Sequence, residues 1–186
     1  IPDVSGDRDA PDDVAMVVHD QPKSAFSEAY RSMRTALMFS TTSGAPTVLH
    51  FTSMNPGEGK TTSAMSAAIT FTQTGSTVLI IDADLRNPSL HKEFNIPNNV
   101  GLTNYLAGDF KPVDVAQPTA VTRLFTMTSG PIPPNPAELL SSGKMLDLLT
   151  LAAERFDYVV IDGPPVLGLA DALILADMAK STILIV

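Results

Sequence analysis

The segment S-M-N-P-G-E-G-K-T-T, residues 53–62, combines two glycines, one lysine and two threonines. It follows an apolar run, 47–53, that predicts a strand, and it leads into 60–75, which predicts a helix. Between a strand and a helix, such a turn favours a phosphate-binding loop, because backbone N–H groups and the helix dipole attract an anion there. The alternative is a glycine turn that merely joins an ordinary strand to a helix.

Each residue type in this loop has a predicted part in nucleotide binding. Glycine permits backbone angles and a close approach that a Cβ would block. Lys60 is expected to reach the β- and γ-phosphates, and Thr61 to offer a hydroxyl to Mg²⁺. Met54 stands where the usual pattern, G-x-x-x-x-G-K-[ST], has its first glycine, but that position is farthest from the lysine. We therefore predict binding of ATP and Mg²⁺, with nucleotide contacts from Gly57, Glu58, Gly59, Lys60, Thr61 and Thr62.

Carboxylates end two further apolar runs. V-L-I-I-D-A-D ends in Asp82 and Asp84, and Y-V-V-I-D ends in Asp162. Ligands of parallel α/β sheets bind outside the carboxyl ends of the strands, so these acids are expected on the same rim as Lys60. Asp162 is the natural Mg²⁺ ligand, while Asp82 or Asp84 could accept a proton or orient a nucleophile. A lone Asp at a strand end is more often a cap or turn former, but two such strands beside a phosphate loop favour a catalytic site.

The remaining pattern alternates strands with helices and predicts an α/β domain with a mainly parallel sheet. Residues 1–23 are acidic, contain three prolines and lack periodicity, so they predict a linker or loosely held arm, with the domain over 24–186. The chain begins with Ile1 and ends in an apparent strand at Val186, and we expect it to be part of a longer protein. Further predicted helices cover 23–39 (with Ser24 as its N-cap), 101–108, 137–156 (broken near Gly143) and 170–179. Further predicted strands cover 124–130, 157–162 and 181–186.

Composition excludes several classes of function. The net charge of −8 argues against nucleic acid as a partner. The chain has no Cys, which excludes disulfides and thiolate metal sites. No apolar run approaches the roughly 18 residues of a membrane span. The three histidines are scattered and are expected to be structural.

Several segments together resemble the bacterial tyrosine kinases. SMNPGEGKTT, VLIIDADLRNP and YVVIDGPPVLGLADA resemble the Walker A, A′ and B motifs of that family. EAYRSMRTAL resembles its E-x-x-R-x-x-R segment, and SGPIPPNPAELLSS resembles its loop and following helix. The resemblance covers the chain from about Ser24 onward. It implies a P-loop NTPase-like fold of the MinD/ParA branch and an ATP-dependent tyrosine autokinase that regulates exopolysaccharide or capsule polymerisation or export.

The resemblance also implies a role for each motif residue. Lys60 and Thr61 would hold phosphate and Mg²⁺, and Asp162 would be a Mg²⁺ ligand. Asp82 would be the base on the acceptor tyrosine, and Asp84 would assist both catalysis and the metal shell. For Arg86, just past these acids, two interpretations stay open: it helps to set the active-site loop, or it is a structural partner of Asp84.

Implied partners lie outside the chain. Glu28, Arg31 and Arg34 would contact a neighbouring subunit in a ring, although their spacing by three also fits an exposed ion pair within one helix. A tyrosine-rich C-terminal tail of a neighbouring subunit would be the acceptor. A membrane-embedded polysaccharide co-polymerase or activator part, fused or separate, would attach this cytoplasmic domain to the bacterial inner membrane.

Two further observations bear on this resemblance: one separates it from a rival family, and the other is a departure from its pattern. The rival MinD- and ParA-like ATPases, which act as nucleotide-dependent assembly switches, usually carry a second Lys five residues before the loop Lys, and Asn55 stands there. This disfavours the switch. The chain also lacks a tyrosine cluster, since Tyr30, Tyr105 and Tyr158 are widely spaced, so the acceptor is expected outside it.

Overall fold

A six-stranded sheet forms the centre of the molecule in this computed structural model, which describes residues 14–42, 44–168 and 170–186. The strand order is β3-β4-β2-β5-β1-β6; five strands are parallel and β3 runs antiparallel to β4. This architecture confirms the predicted α/β class with a mainly parallel sheet. The strands are β1 (Val48–Ser53), β2 (Val78–Asp82), β3 (Gln117–Pro118), β4 (Leu124–Met127), β5 (Tyr158–Asp162) and β6 (Ser181–Ile185).

Helices cover both faces of the sheet. Neighbouring residues of one strand belong to different cores: Ile80 packs with one apolar cluster, while Leu79 and Ile81 pack with the other. This explains why the central strands are apolar at every position rather than at alternate ones. The helices are α1 (Val17–Asp20), α2 (Ala25–Met38), α3 (Lys60–Thr72), α4 (Leu90–Glu93), α5 (Leu102–Ala107), α6 (Pro112–Val115), α7 (Pro136–Leu140), α8 (Gly143–Arg155) and α9 (Asp171–Met178).

Two predicted details of the helices are confirmed. Ser24 is the N-cap of α2, and its Oγ accepts the Ser27 N–H at 3.1 Å. The expected break near Gly143 separates α7, which ends at Leu140, from α8. Helix α3 is buried along most of its length and packs against both the sheet and α2, so its first turn is held rigidly at the end of β1.

The last part of the predicted acidic arm, from Val14 to Asp20, is folded onto the domain instead of forming a loose linker. Residues Val14–Met16 form a 3₁₀ turn that leads into α1, and Val17 and Val18 are buried in the core. Gln73 of the α3 C-cap donates a hydrogen bond from Nε2 to the Val18 carbonyl at 3.0 Å. The apolar stretch is too short to show helical periodicity, so the surrounding acids dominated the sequence pattern. Residues 1–13 of the predicted arm lie outside the described residues.

His50, on β1, gives the fold a specific acid sensitivity. Its side chain is fully buried, and burial lowers its pKa to about 4. The buried imidazole stays neutral in the fold, whereas in the unfolded chain it takes up a proton below its usual pKa of about 6.5. The contribution of His50 to the free energy of unfolding is therefore fully present above pH 6.5 and is lost as pH falls towards 4. Between pH 7 and pH 5, we expect the free energy of unfolding to fall by about 2 kcal/mol less in His50→Gln than in the unsubstituted protein. Denaturant unfolding at the two pH values measures this difference.

Comparing variant with parent cancels every other titrating group. Parallel pH profiles for His50→Gln and the parent would contradict the assignment.

Candidate active site at the carboxyl end of the sheet

The loop between β1 and α3 keeps its shape through its glycine backbone angles and through hydrogen bonds between its own residues. Gly57 and Gly59 have φ of +85° and +82°, in the left-handed region that glycine adopts without strain. Glu58 accepts the Asn55 N–H at 2.9 Å and the Asn55 Nδ2 at 2.8 Å. These hydrogen bonds lower the pKa of Glu58. The ionised carboxylate therefore serves to hold the loop in shape. The amide end of α3, capped by Gly59, is left facing the space where phosphates are predicted.

Lys60 begins α3 and its ammonium group points to the carboxylates. Its Nζ lies 3.0 Å from Asp84 Oδ2, and both side chains are largely buried. Burial lowers the pKa of Lys60, but Asp162 and Asp84 raise it by more, so the ammonium stays charged. Thr62 lies in the same first turn of α3. The positive charge predicted from the sequence is therefore present at the rim.

Thr61 and Asp162 form a pair of hard oxygen donors. Thr61 Oγ1 donates to Asp162 Oδ2 at 2.7 Å. The Asp162 Oδ1 is buried and has no hydrogen-bond partner within the described part of the chain. Burial raises the pKa of Asp162 to about 6, although the Lys60 charge lowers it. An orphaned carboxylate oxygen beside a hydroxyl fits Mg²⁺, which prefers such ligands and takes its others from water and phosphate.

No group of three or more His, Asp or Glu residues among those described forms a metal cage.

Asp82 is the most deeply perturbed carboxyl group of the site. It pairs in register with Asp162 across β2 and β5. Its Oδ2 accepts the N–H groups of Ser89 and Leu90, each at 3.0 Å, while its buried Oδ1 has no partner among the described residues. Burial, with the nearby charge of Asp162, raises the pKa of Asp82 to about 8. A carboxyl group of this kind can take up a proton near neutral pH.

Ser89 is a site residue that the sequence reading missed. Its backbone N–H donates a hydrogen bond to Asp82, and its Oγ lies 3.1 Å from Thr61 Oγ1. It therefore joins the loop after β2 to the phosphate loop. A Ser directly before the short helix α4 is a recognised start signal, and this signal could have drawn attention to it.

Asp84 faces Lys60 instead of standing beside Thr61. One carboxylate oxygen pairs with the ammonium and the other accepts the Asn87 N–H at 3.0 Å. Its contribution to the metal shell stays a prediction. Its observed role is to neutralise Lys60 and to brace the turn after β2.

Arg86 does not partner Asp84, and that interpretation was wrong. Its Nε donates to Asp171 Oδ2 at 2.8 Å and its Nη2 to Asp171 Oδ1 at 3.2 Å. Asp171 is the first residue of α9 and its side chain is only 2 % exposed. The other interpretation, that Arg86 sets the active-site loop, stays open.

The three residues predicted to contact another subunit lie on α2. Arg31 Nη2 pairs with Glu28 Oε2 at 2.7 Å. Arg34 turns towards α3, where its Nη1 donates to the Thr70 carbonyl at 2.6 Å. Glu28 and Arg31 thus form a surface pair, while Arg34 also ties α2 to the helix that carries Lys60.

Each tyrosine of the chain is engaged in the fold. Tyr30 is 1 % exposed and its hydroxyl lies 3.0 Å from Ser63 Oγ. The Tyr105 hydroxyl donates to the Lys144 carbonyl, and Tyr158 stacks on Phe71 with ring centroids 4.1 Å apart.

An apolar cavity of about 340 Å³ lies apart from these groups, between β4, α6 and α8, and none of its lining residues belongs to the site. Among the described residues, no helix has the length and apolar character to cross a membrane.

Comparison with known proteins identifies close relatives. The chain is 44 % identical to the tyrosine-protein kinase YwqD of Bacillus subtilis (strain 168) over 166 residues, which cover 89 % of this chain and 70 % of that protein. The solved kinase domain of Escherichia coli tyrosine kinase ETK matches with a TM-score of 0.88 at 34 % identity, covering 91 % of this chain and 67 % of that chain. No protein-family model matches the chain.

A more distant structure bears on the fold alone. The septum site-determining protein MinD of Pyrococcus horikoshii, solved with Mg-ADP, matches with a TM-score of 0.65 at 23 % identity, covering 74 % of this chain and 56 % of that chain. MinD and this chain therefore share the P-loop NTPase-like fold, a mainly parallel sheet flanked by helices. The identity to YwqD is much higher and extends over most of both chains. Together with the motifs assembled at one end of the sheet, it shows that this chain belongs to the bacterial tyrosine kinase family.

Proposed function

We propose that this domain is an ATP-dependent protein-tyrosine autokinase that regulates the polymerisation or export of an exopolysaccharide or capsule. The observation that carries the proposal is the meeting of Lys60, Thr61, Asp82 and Asp162 at one edge of the sheet. One cation, one hydroxyl and two perturbed carboxyl groups are the parts that phosphoryl transfer to a hydroxyl needs. Family membership supplies tyrosine as the acceptor.

The residues divide the work of the reaction. Lys60 and the amides of the Gly57–Gly59 loop hold the β- and γ-phosphates of ATP. Thr61 and Asp162 would hold Mg²⁺, which when bound offsets negative charge on the phosphates. Asp82 orients the tyrosine hydroxyl and accepts its proton, as the tyrosine oxygen bonds to the γ-phosphorus and the bond to ADP breaks. Contact with phosphate would release Lys60 from Asp84, and the Asp84 carboxylate would then be available to assist Thr61 and Asp162 in holding Mg²⁺.

The acceptor is a tyrosine-rich C-terminal tail presented by a neighbouring subunit. Support comes from the three tyrosines within this chain, each of which is engaged in the fold. Subunits meet in a ring through Glu28, Arg31 and Arg34. The domain works in the cytoplasm, attached to the inner membrane through a co-polymerase or activator part, and has no nucleic acid partner.

The ring contact predicts the effect of Arg31→Ala. Within one subunit the Glu28–Arg31 pair contributes only about 0.5 kcal/mol, and Arg31 also donates one hydrogen bond to the Pro22 carbonyl, so we expect the variant to keep its fold. We expect the variant to lose the assembled species in sedimentation velocity while its melting temperature changes little. Arg155→Ala, at the exposed end of α8, serves as the control. Unchanged assembly in Arg31→Ala would remove Arg31 from the interface.

A nucleotide-dependent assembly switch of the MinD/ParA type is the second candidate, supported by the fold likeness to MinD. Asn55 stands where those ATPases usually carry their second lysine. One reaction separates the candidates: the chain is incubated with ATP, Mg²⁺ and a tyrosine-rich acceptor peptide, and phosphotyrosine and free phosphate are measured together. The kinase forms phosphotyrosine in proportion to ADP. Phosphate release without phosphotyrosine would favour the switch.

A further inference from the structure

The loops that follow β2 and β5 are joined by one ion pair outside the group of residues that contact substrate. Arg86 lies two residues after Asp84, within the loop after β2. Asp171 opens α9, which follows the loop after Asp162. The pair is bidentate, with donor–acceptor distances of 2.8 and 3.2 Å. It spans two strands that each end in a carboxylate of the site.

Its setting makes this pair unlike an ordinary surface ion pair. The Asp171 side chain is 2 % exposed, whereas Arg86 is 44 % exposed. A buried carboxylate needs a hydrogen-bonding cation, and a bidentate arginine also fixes its direction. The start of α9 adds a favourable helix dipole to the carboxylate. Arg86 therefore has a fixed anchor, and the backbone around Arg86 is fixed with it.

That backbone supplies the hydrogen bonds that hold the catalytic carboxylates. Asn87 N–H donates to Asp84 Oδ1, and the N–H groups of Ser89 and Leu90 donate to Asp82 Oδ2, each at 3.0 Å. All three donors follow Arg86 within four residues. Movement of the loop would release both carboxylates together.

We propose that Arg86 and Asp171 are positioning residues, and that their ion pair clamps the loop after β2 to α9 and thereby keeps Asp82 and Asp84 aligned with Asp162. The catalytic consequence rests on the proposed function. The structural consequence does not, and it is measurable in the protein without nucleotide.

The first test is amide hydrogen exchange on Arg86→Gln, Asp171→Asn and the double variant. Exchange at Asn87, Ser89 and Leu90 should rise about tenfold in Arg86→Gln, with the central strands unchanged. Because the two residues act as one unit, the double variant should be no faster than the faster single variant. Multiplied effects in the double variant would overturn the clamp.

A matched control lies at the opposite, amino-terminal ends of the same two strands. Asp157, just before β5, accepts the N–H of Thr77, just before β2, at 2.7 Å. Asp157→Asn should accelerate exchange at Thr77 and leave Ser89 and Leu90 unchanged. If Arg86→Gln lowers the melting temperature as Asp157→Asn does but does not alter exchange at Ser89 and Leu90, the pair is merely structural and the proposal fails.

The second test is kinetic. Arg86→Gln should lower kcat for phosphotyrosine formation about tenfold with little change in the KM for ATP, because Lys60 and Thr61 stay in place. Arg86→Lys keeps one hydrogen bond to Asp171 and should recover part of kcat. An equal loss in Asp157→Asn would overturn the kinetic part. If the unsubstituted protein forms no phosphotyrosine, the proposed function fails, whereas hydrogen exchange still decides the clamp.

Discussion

Replacing Lys60 by Met is expected to abolish phosphotyrosine formation, with a loss of at least about 100-fold in kcat/KM. Lys60 is the cation that faces Asp84 and Asp162, and it is the group that meets the β- and γ-phosphates. Methionine keeps an unbranched side chain, shorter by one atom, but carries no charge. The affinity for Mg-ADP, measured by calorimetry, should fall as well, because ground-state phosphates lose the same partner.

The matched control is Lys111→Met, which removes an exposed lysine beside α6, away from the site. It should retain the activity of the parent. Full phosphotyrosine formation by Lys60→Met would contradict the assignment of the phosphate loop.

Replacing Asp82 by Asn is expected to lower kcat at least about 100-fold, the usual contribution of a general base. The amide can still accept the N–H bonds of Ser89 and Leu90, so the loop should keep its shape. The KM for ATP should change little, since Lys60 and Thr61 are untouched. Asp147→Asn, on the exposed side of α8, should retain full activity as the control.

The same variant, Asp82→Asn, should be more stable than its parent at alkaline pH. The pKa of Asp82 is raised to about 8 in the folded protein, against about 4 in the unfolded chain. A raised pKa contributes stability below pH 4 that is lost as pH rises towards 8. The asparagine side chain does not ionise, so the variant should gain on the order of a few kcal/mol over the parent at pH 8, in the absence of nucleotide.

Denaturant unfolding at pH 5 and pH 8 measures this difference. An advantage for the variant that grows with pH would show that activity is maintained at the expense of stability. A stability difference that is independent of pH would show that Asp82 does not carry the raised pKa.

The main frame of the site could be predicted from the sequence because its elements are long and regular. The apolar runs of β1, β2 and β5 predict strands buried on both faces, and parallel strands place their carboxyl ends at one edge. This logic brings Lys60, Asp82 and Asp162 together without any knowledge of side-chain contacts, and the structure does place them together.

The contacts among these residues could not be predicted, because they depend on irregular loops. The segment between β2 and α4 has no periodicity, so nothing in the sequence indicates that Asp84 turns to Lys60 or that Ser89 reaches Asp82. The partner of Arg86 lies 85 residues away along the chain. Helices α4 and α6 have four residues each, too few for a periodic signal. Such details require the folded chain.

The most direct measurement of the central claim is the identity of the phosphorylated residue. The chain is incubated with Mg²⁺, γ-labelled ATP and a tyrosine-rich acceptor peptide, and the labelled products are separated as phosphoamino acids. The account predicts label on tyrosine, absent from the Lys60→Met and strongly reduced in the Asp82→Asn reactions. Label released as free phosphate alone, or label on tyrosine that persists in Lys60→Met, would contradict it.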